Sequence, residues 1–235
     1  MKTRPDGRKF DELRPISAKA GIVKNADGSA MFKIGDTIAY AAVYGPRELY
    51  PKFLQDPTKG ILRCRYNMMP FSGAGERVKP GPSRRSTEIS MVTEKALLPV
   101  LNLEDFPNAV VDVFIDLPQT DAGTRCAGIC AASIALADAG LWMREMVSSV
   151  SVGKVNEDIL VDLTYEEESA EGEVADIPVA YLPKSGRVSL LQMDGEISKD
   201  ELVKALELGR QASLQIYEVQ KQTLLDKYRG ESNEE

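Results

Sequence analysis

Leu117-Pro118-Gln119-Thr120-Asp121-Ala122-Gly123-Thr124-Arg125-Cys126-Ala127-Gly128 is the stretch on which the reading of this chain turns. Ahead of it, Val110 to Leu117 puts Val111, Val113, Ile115 and Leu117 on one face, the period-2 pattern of a half-buried strand. Behind it, Ala127 to Ala139 is rich in alanine, carries Ile129, Ile134 and Leu136, and stops at Gly140, which reads as a tightly packed helix with a C-terminal glycine. A strand therefore feeds a Gly-Thr-Arg turn that opens a helix. Unpaired N–H groups, the positive end of the helix dipole, the Thr124 hydroxyl and the Arg125 guanidinium converge there, which makes an anion site. The plainer alternative is a strand-to-helix turn capped by Thr124, with Arg125 in solvent.

A second arginine-bearing helix start lies upstream. Ser83-Arg84-Arg85-Ser86-Thr87-Glu88 opens a helix with Ile89, Val92, Ala96, Leu97 and Val100 on its apolar face. Two arginines in a first turn oppose the helix dipole, at a few tenths to about 1 kcal/mol each. An external anion would relieve that, as would a nearby carboxylate such as Glu88 or Glu94. Before this helix runs a strand, Ile61 to Met68, with Leu62, Cys64 and Tyr66 on one side and Arg63 and Arg65 on the other. A long loop, Pro70 to Pro82, joins the two and carries Arg77 and Lys79; it has neither a dinucleotide fingerprint nor a P-loop.

Working outward, Ala20 to Lys24, Ser29 to Ile34 and Thr37 to Tyr44 read as a meander, turning at Asn25-Ala26-Asp27-Gly28 and ending at Gly45-Pro46. In the second half, Val147 to Val155 and Ile159 to Thr164 read as strands around Asn156-Glu157-Asp158. An acidic segment, Tyr165 to Glu173, leads into the strand Val174 to Leu182, where Pro178 suggests an edge or a bulge. Asp176 sits inside that apolar strand, where an unpaired carboxylate is costly. Val188 to Met193 is a further strand. Ser198-Lys199-Asp200-Glu201 is a capping box that starts a long helix with Leu202, Leu206, Gly209, Ala212, Ile216 and Val219 in one stripe. The order of elements predicts an α+β fold, with helices packed on antiparallel or mixed β-sheets and two βαβ-type halves. Residues 1–230 read as one domain and 231–235 as a disordered acidic tail.

Composition narrows the chemistry. The 235 residues hold no histidine, which removes Ser-His-Asp and Cys-His catalysis and His-based zinc sites. Three cysteines, with Cys126 and Cys130 one turn apart, read as reduced core thiols. Acid–base work falls to Asp, Glu, Lys or Tyr. A net charge of −7 argues against non-specific coating of nucleic acid, while leaving room for a local basic channel. No apolar run is long enough to span a bilayer, so a cytoplasmic location without membrane contact is expected. Two arginine-bearing helix starts and a lone strand aspartate suit an enzyme that handles phosphate: arginine holds the anion, and a carboxylate holds Mg²⁺ or moves a proton.

The chain resembles the RNase PH family, most nearly the catalytic ring subunits of archaeal exosomes. The residues that carry the resemblance are Arg4-Pro5-Asp6-Gly7-Arg8, Ala26-Asp27-Gly28-Ser29-Ala30, Ala42-Val43-Tyr44-Gly45-Pro46-Arg47-Glu48, Arg63-Cys64-Arg65-Tyr66-Asn67-Met68, Pro82-Ser83-Arg84-Arg85, Asp121-Ala122-Gly123-Thr124-Arg125 and Leu191-Gln192-Met193-Asp194-Gly195. The resemblance implies an RNase PH-like fold and a 3′→5′ exoribonuclease that uses inorganic phosphate as co-substrate. Gly123, Thr124 and Arg125 would hold the phosphate. Arg84 and Arg85 would grip single-stranded RNA, with Arg63, Arg65, Arg77 and Lys79 along a channel. Two acids would protonate the leaving 3′ oxygen or hold Mg²⁺, with Asp176 as the metal ligand. A paralogous inactive subunit and RNA-binding cap proteins would complete a hexameric ring. The family pattern Glu-Asp-x-x-Gly-Glu-Ala-Asp matches Asp176 as its second aspartate. Its first falls on Glu168, a glutamate in a longer loop, with Glu171 or Glu167 as alternatives. That departure leaves a ring subunit impaired in catalysis as one alternative, and a homohexameric tRNA-trimming RNase PH as another.

Overall fold

The computed structural model describes residues 4–74 and 77–230, so the acidic tail expected at 231–235 lies outside the described residues. The chain runs β1 (Ile16–Ala20), β2 (Gly28–Ile34), β3 (Thr37–Glu48), β4 (Ile61–Met68), α1 (Arg84–Leu97), β5 (Ala109–Gln119), α2 (Thr124–Asp138), β6 (Ser148–Val155), β7 (Asp158–Val161), α3 (Tyr165–Glu168), β8 (Val174–Leu182), β9 (Arg187–Leu191) and α4 (Lys199–Gly230). The strands form two sheets, in the orders β1-β2-β3-β5-β4 and β7-β6-β8-β9. The fold is α+β, as the order of elements predicts.

The βαβ expectation holds in the first half only. β4 and β5 are parallel, with α1 as the crossover, whereas every pairing in the second sheet is antiparallel. The difference follows from the connections: β6 to β7 and β8 to β9 are short turns, and the longer β7–β8 segment carries only the one-turn α3, so none supplies a crossover helix.

α2 lies between the sheets, against β2 and β3 on one side and β6 on the other. Its alanines and glycine allow this, because a helix buried nearly all round needs small side chains to bring both layers close. Gly28 shows how close. A Cβ there would stand 2.2 Å from the backbone nitrogen of Ala139 at the end of α2. Cys64, Cys126 and Cys130 are buried, free thiols, and burial pushes all three well above the ordinary thiol range.

Three local expectations are corrected. The first strand is Ile16–Ala20, not Ala20 to Lys24, because Gly21 at φ 71° leaves the extended region. β3 does not stop at Gly45-Pro46. It continues to Glu48 through a bulge, where Pro46 needs no ladder partner and the Gly45 N–H donates to Asp27 Oδ2 at 2.7 Å. β8 is interior, not an edge; Pro178 fits because β8 pairs with β9 from Val179 onward, and the missing N–H faces the point where that ladder lapses. The capping box at Ser198 and Glu201 forms as expected, with the Ser198 N–H donating to Glu201 Oε2 at 2.9 Å.

Candidate active site

β5 delivers the chain to Asp121, and the turn at Gly123 takes φ 67°, a left-handed conformation that glycine adopts without penalty. Gly123 is the N-cap of α2 and supplies no side-chain cap, so Thr124 is the first helical residue and not the cap. The opening N–H groups of α2 are thus left to an external acceptor or water. Thr124 is buried and Arg125 half-buried. The Arg125 guanidinium donates through Nη1 to Gln192 Oε1 at 2.6 Å.

The opposite wall comes from the second sheet. Thr164 caps the one-turn helix α3 in a capping box with Glu167, and the next residue is Glu168. Asp176 projects from β8, and the Ser151 hydroxyl of β6 donates to its Oδ1. One small polar cleft is lined by Arg85, by Asp121 through Arg125, and by Ser151, Glu168, Asp176 and Pro178. Both acids are raised above the ordinary carboxylate range. Burial is the main cause for Glu168, with the neighbouring Asp176 charge adding and Arg14 opposing, and it is pushed up to about 7. Burial also raises Asp176, while the Ser151 hydroxyl and Arg125 oppose it.

Among the alternatives for the first acid, only Glu168 lines this cleft. Glu167 is buried and bonded to Arg4, at 2.8 Å from Nε and 2.7 Å from Nη2. Glu171 is exposed.

The residues that join the two walls were not foreseen. Arg14 donates through Nη1 to Asp121 Oδ2 at 2.7 Å, and through Nε and Nη2 to Asp162 at 2.9 and 2.7 Å. Asp121 Oδ1 accepts the backbone N–H of Tyr165, the first residue of α3, at 3.1 Å. Arg4 adds bonds to the Val161 and Asp162 carbonyls, each at 2.8 Å. The signal was an N-terminal segment dense in arginine and without a helix to carry it; its partners lie too far along the chain for spacing to reveal.

The other expected RNA contacts divide. Arg84 and Arg85 are exposed, and neither forms an ion pair among the described residues. Glu88, the carboxylate that could have neutralised them, instead accepts from Gln192 Nε2 at 3.2 Å. Arg85 lines the cleft; Arg84 does not. Lys79 lines an adjoining groove with Tyr66, Asn67 and Arg85. Arg77 is exposed within the loop. Arg63 is paired with the fully buried Asp112, which also binds Arg47. Parallel register sets Arg63 directly beside Asp112, so its first role is to neutralise a buried charge. Arg65 is exposed on the same strand.

Within this α+β fold, the cleft sets an arginine-bearing helix start opposite two acids. Residues 12–141 match the first domain of the 3′ exoribonuclease family, RNase PH, and residues 145–212 match its second domain. The chain belongs to that family. It is 53% identical over 225 residues to the exosome complex component Rrp41 of Pyrococcus abyssi, covering 96% of this chain and 89% of the relative. It is 47% identical to the protein of the same name in Methanopyrus kandleri, covering 97% and 94%. Among solved structures it resembles rice Rrp46, with a TM-score of 0.84 and 24% identity over 94% of this chain and all of the other. It also resembles a chain of the Archaeoglobus fulgidus exosome with RNA bound to the active site, with a TM-score of 0.78, 24% identity and 92% of each chain covered. Among the described residues, no helix is long and apolar enough to cross a membrane.

Proposed function

We propose that the chain degrades single-stranded RNA from its 3′ end by phosphorolysis, as the catalytic member of an exosome ring in the cytoplasm. The observation that carries this reading is the cleft itself, where the Gly123-Thr124-Arg125 turn faces Glu168 and Asp176. Inorganic phosphate would sit on the α2 N-terminus, held by opening N–H groups, the Thr124 hydroxyl and Arg125. An oxygen of that phosphate attacks the terminal phosphodiester phosphorus. The bond from phosphorus to the preceding 3′ oxygen breaks, and a nucleoside diphosphate leaves. The departing 3′ oxygen takes a proton, which Glu168 can supply because its site holds that proton near neutral pH. Phosphate, not water, is the nucleophile, so this is a reversible transfer and not a hydrolysis. Run backwards, it adds nucleotides to RNA.

The hard oxygen donors of Asp176 fit Mg²⁺, which is held by one or two carboxylates together with substrate phosphates and water, leaving Glu168 to carry the proton. Bound there, the ion would neutralise charge on the reacting phosphates. Arg85, beside the cleft, would hold the RNA backbone, with Lys79 and Arg65 further along its path. The relatives' shared name supports a ring partner, and the family resemblance supports a paralogous inactive subunit and RNA-binding caps. A basic path of this kind needs only local positive charge, so the net charge of −7 is no obstacle.

The test is single-stranded RNA labelled at its 5′ end, incubated with the purified chain alone and with its reconstituted ring, with and without phosphate. Shortening that requires phosphate and releases nucleoside diphosphates supports the reading. Shortening that ignores phosphate overturns the mechanism. Asp176→Ala should reduce turnover by about 10²-fold or more. Unchanged turnover in that variant would leave the assignment of the acids wrong and favour a ring subunit that binds RNA without catalysis.

A further inference from the structure

Arg125 meets an amide where a carboxylate would be the commoner partner. Its Nη1 donates to Gln192 Oε1 at 2.6 Å, and Gln192 Nε2 donates to Glu88 Oε1 at 3.2 Å. Only one orientation of the amide satisfies both neighbours, because the guanidinium can only donate and the carboxylate can only accept. The backbone N–H of Gln192 donates to the Pro178 carbonyl at 3.1 Å, which ties the residue to β8 two positions beyond Asp176. One side chain after β9 thus joins α2, through Arg125, to α1, which carries Arg85, and its backbone is anchored on the wall that carries Asp176.

We infer that Gln192 is the positioning residue of the phosphate subsite, holding the Arg125 guanidinium toward the cleft while leaving its charge uncancelled. The inference rests on the phosphate reading above. A glutamate of the same length would make a charge-assisted pair and supply the negative charge that incoming phosphate must supply. An alanine would leave the charge intact but release the guanidinium, so that binding phosphate would have to order it first. The amide does neither. Gln and Glu have nearly the same shape here, but Glu adds a negative charge and loses the N–H that Glu88 accepts.

The measurement is phosphorolysis by the reconstituted complex, with phosphate and RNA varied separately, for wild type, Gln192→Glu and Gln192→Ala, alongside thermal unfolding. Gln192→Glu should raise the KM for phosphate about tenfold or more, with the KM for RNA little changed. The unfolding temperature should drop modestly, because the new carboxylate faces Glu88 without the N–H that Glu88 accepts. The double variant Gln192→Glu, Glu88→Gln should recover the temperature while keeping the raised phosphate KM. Gln192→Ala should raise the phosphate KM less, by about threefold. A phosphate KM raised more by alanine than by glutamate, or one that changes only in step with the unfolding temperature, would make Gln192 a packing residue and overturn the inference. A phosphate KM unchanged in Gln192→Glu would overturn it too, as would a rise confined to the KM for RNA. If wild type needs no phosphate at all, the proposed function fails first, and the two failures are told apart by that control.

Discussion

Arg4 and Glu167 form a buried, bidentate ion pair, with the guanidinium at 2.8 and 2.7 Å from the two carboxylate oxygens and both side chains fully out of solvent. The same carboxylate closes the cap of α3, accepting the Thr164 N–H at 2.9 Å. Its neighbour in sequence is Glu168. An acid in a loop would sample many positions; here the adjoining residue is locked from two sides, and the catalytic candidate inherits that order.

Arg4→Ala should therefore destabilise the fold strongly, because it strands a buried carboxylate. About 3–5 kcal/mol is expected from urea unfolding at neutral pH. Burial alone would raise Glu167, but the bond from Arg4 and the Thr164 N–H hold it below the usual carboxylate range. Its contribution is thus fully present above the unfolded value of 4.5 and is lost as pH falls through the lower folded value. A variant as stable as wild type, with the same acid profile, would show that the pair does not hold α3.

Glu168 should leave the opposite mark. Its folded pKa is raised from 4.5 to about 7, so between those values the folded state holds a proton that the unfolded state has released. Stability should fall as pH rises through that window and level off above it. Glu168→Gln removes the titrating group, so the variant should gain on wild type between pH 5 and 7 in unfolding measurements made with chelator present. Turnover in wild type should decline above about pH 7, as the proton donor is lost. A stability difference that does not change with pH would place Glu168 elsewhere.

Arg85 and Arg84 are neighbours with different surroundings, since only Arg85 borders the cleft. Arg85→Ala should raise the KM for RNA by about tenfold, the loss of one charged hydrogen bond. Arg84→Ala should stay within about threefold. Equal effects, measured on one RNA at one salt concentration, would mean that both reach the substrate.

Gly28→Ala tests how tightly α2 is held between the sheets. The added methyl would stand 2.2 Å from one backbone nitrogen and 2.3 Å from the Ala135 carbonyl oxygen, neither of which can move without shifting the helix. A loss of about 1–3 kcal/mol is expected, seen as a lower unfolding temperature. An unchanged temperature would mean that α2 has room to move.

The corrected elements share a cause. The β5–turn–α2 stretch was legible because periodicity, a glycine turn and small-residue packing are all local in sequence. So was α1, whose adjacent arginines precede a helix-period apolar face. Pro178 pointed to an irregularity but could not say whether it lay at an edge or within the sheet, because strand neighbours are set by the whole topology. The paired role of Arg63 was hidden for the same reason: Asp112 is its partner only because β4 and β5 run parallel in that register.

By itself the sequence determined the parts of this protein: an α+β chain without histidine, an arginine-bearing helix start after Gly123, and an aspartate in an apolar strand. Only the tertiary structure decided which of three glutamates faces Asp176, and which arginines are spent on buried carboxylates. Arg4 and Glu167 are 163 residues apart, and Arg14 and Asp162 are 148 apart. Spacing along the chain carries information over a helical turn or a strand pair. Charges at such separations find one another only once both sheets have closed on α2 and water has been driven from between them, leaving the buried carboxylates dependent on the arginines that reach them.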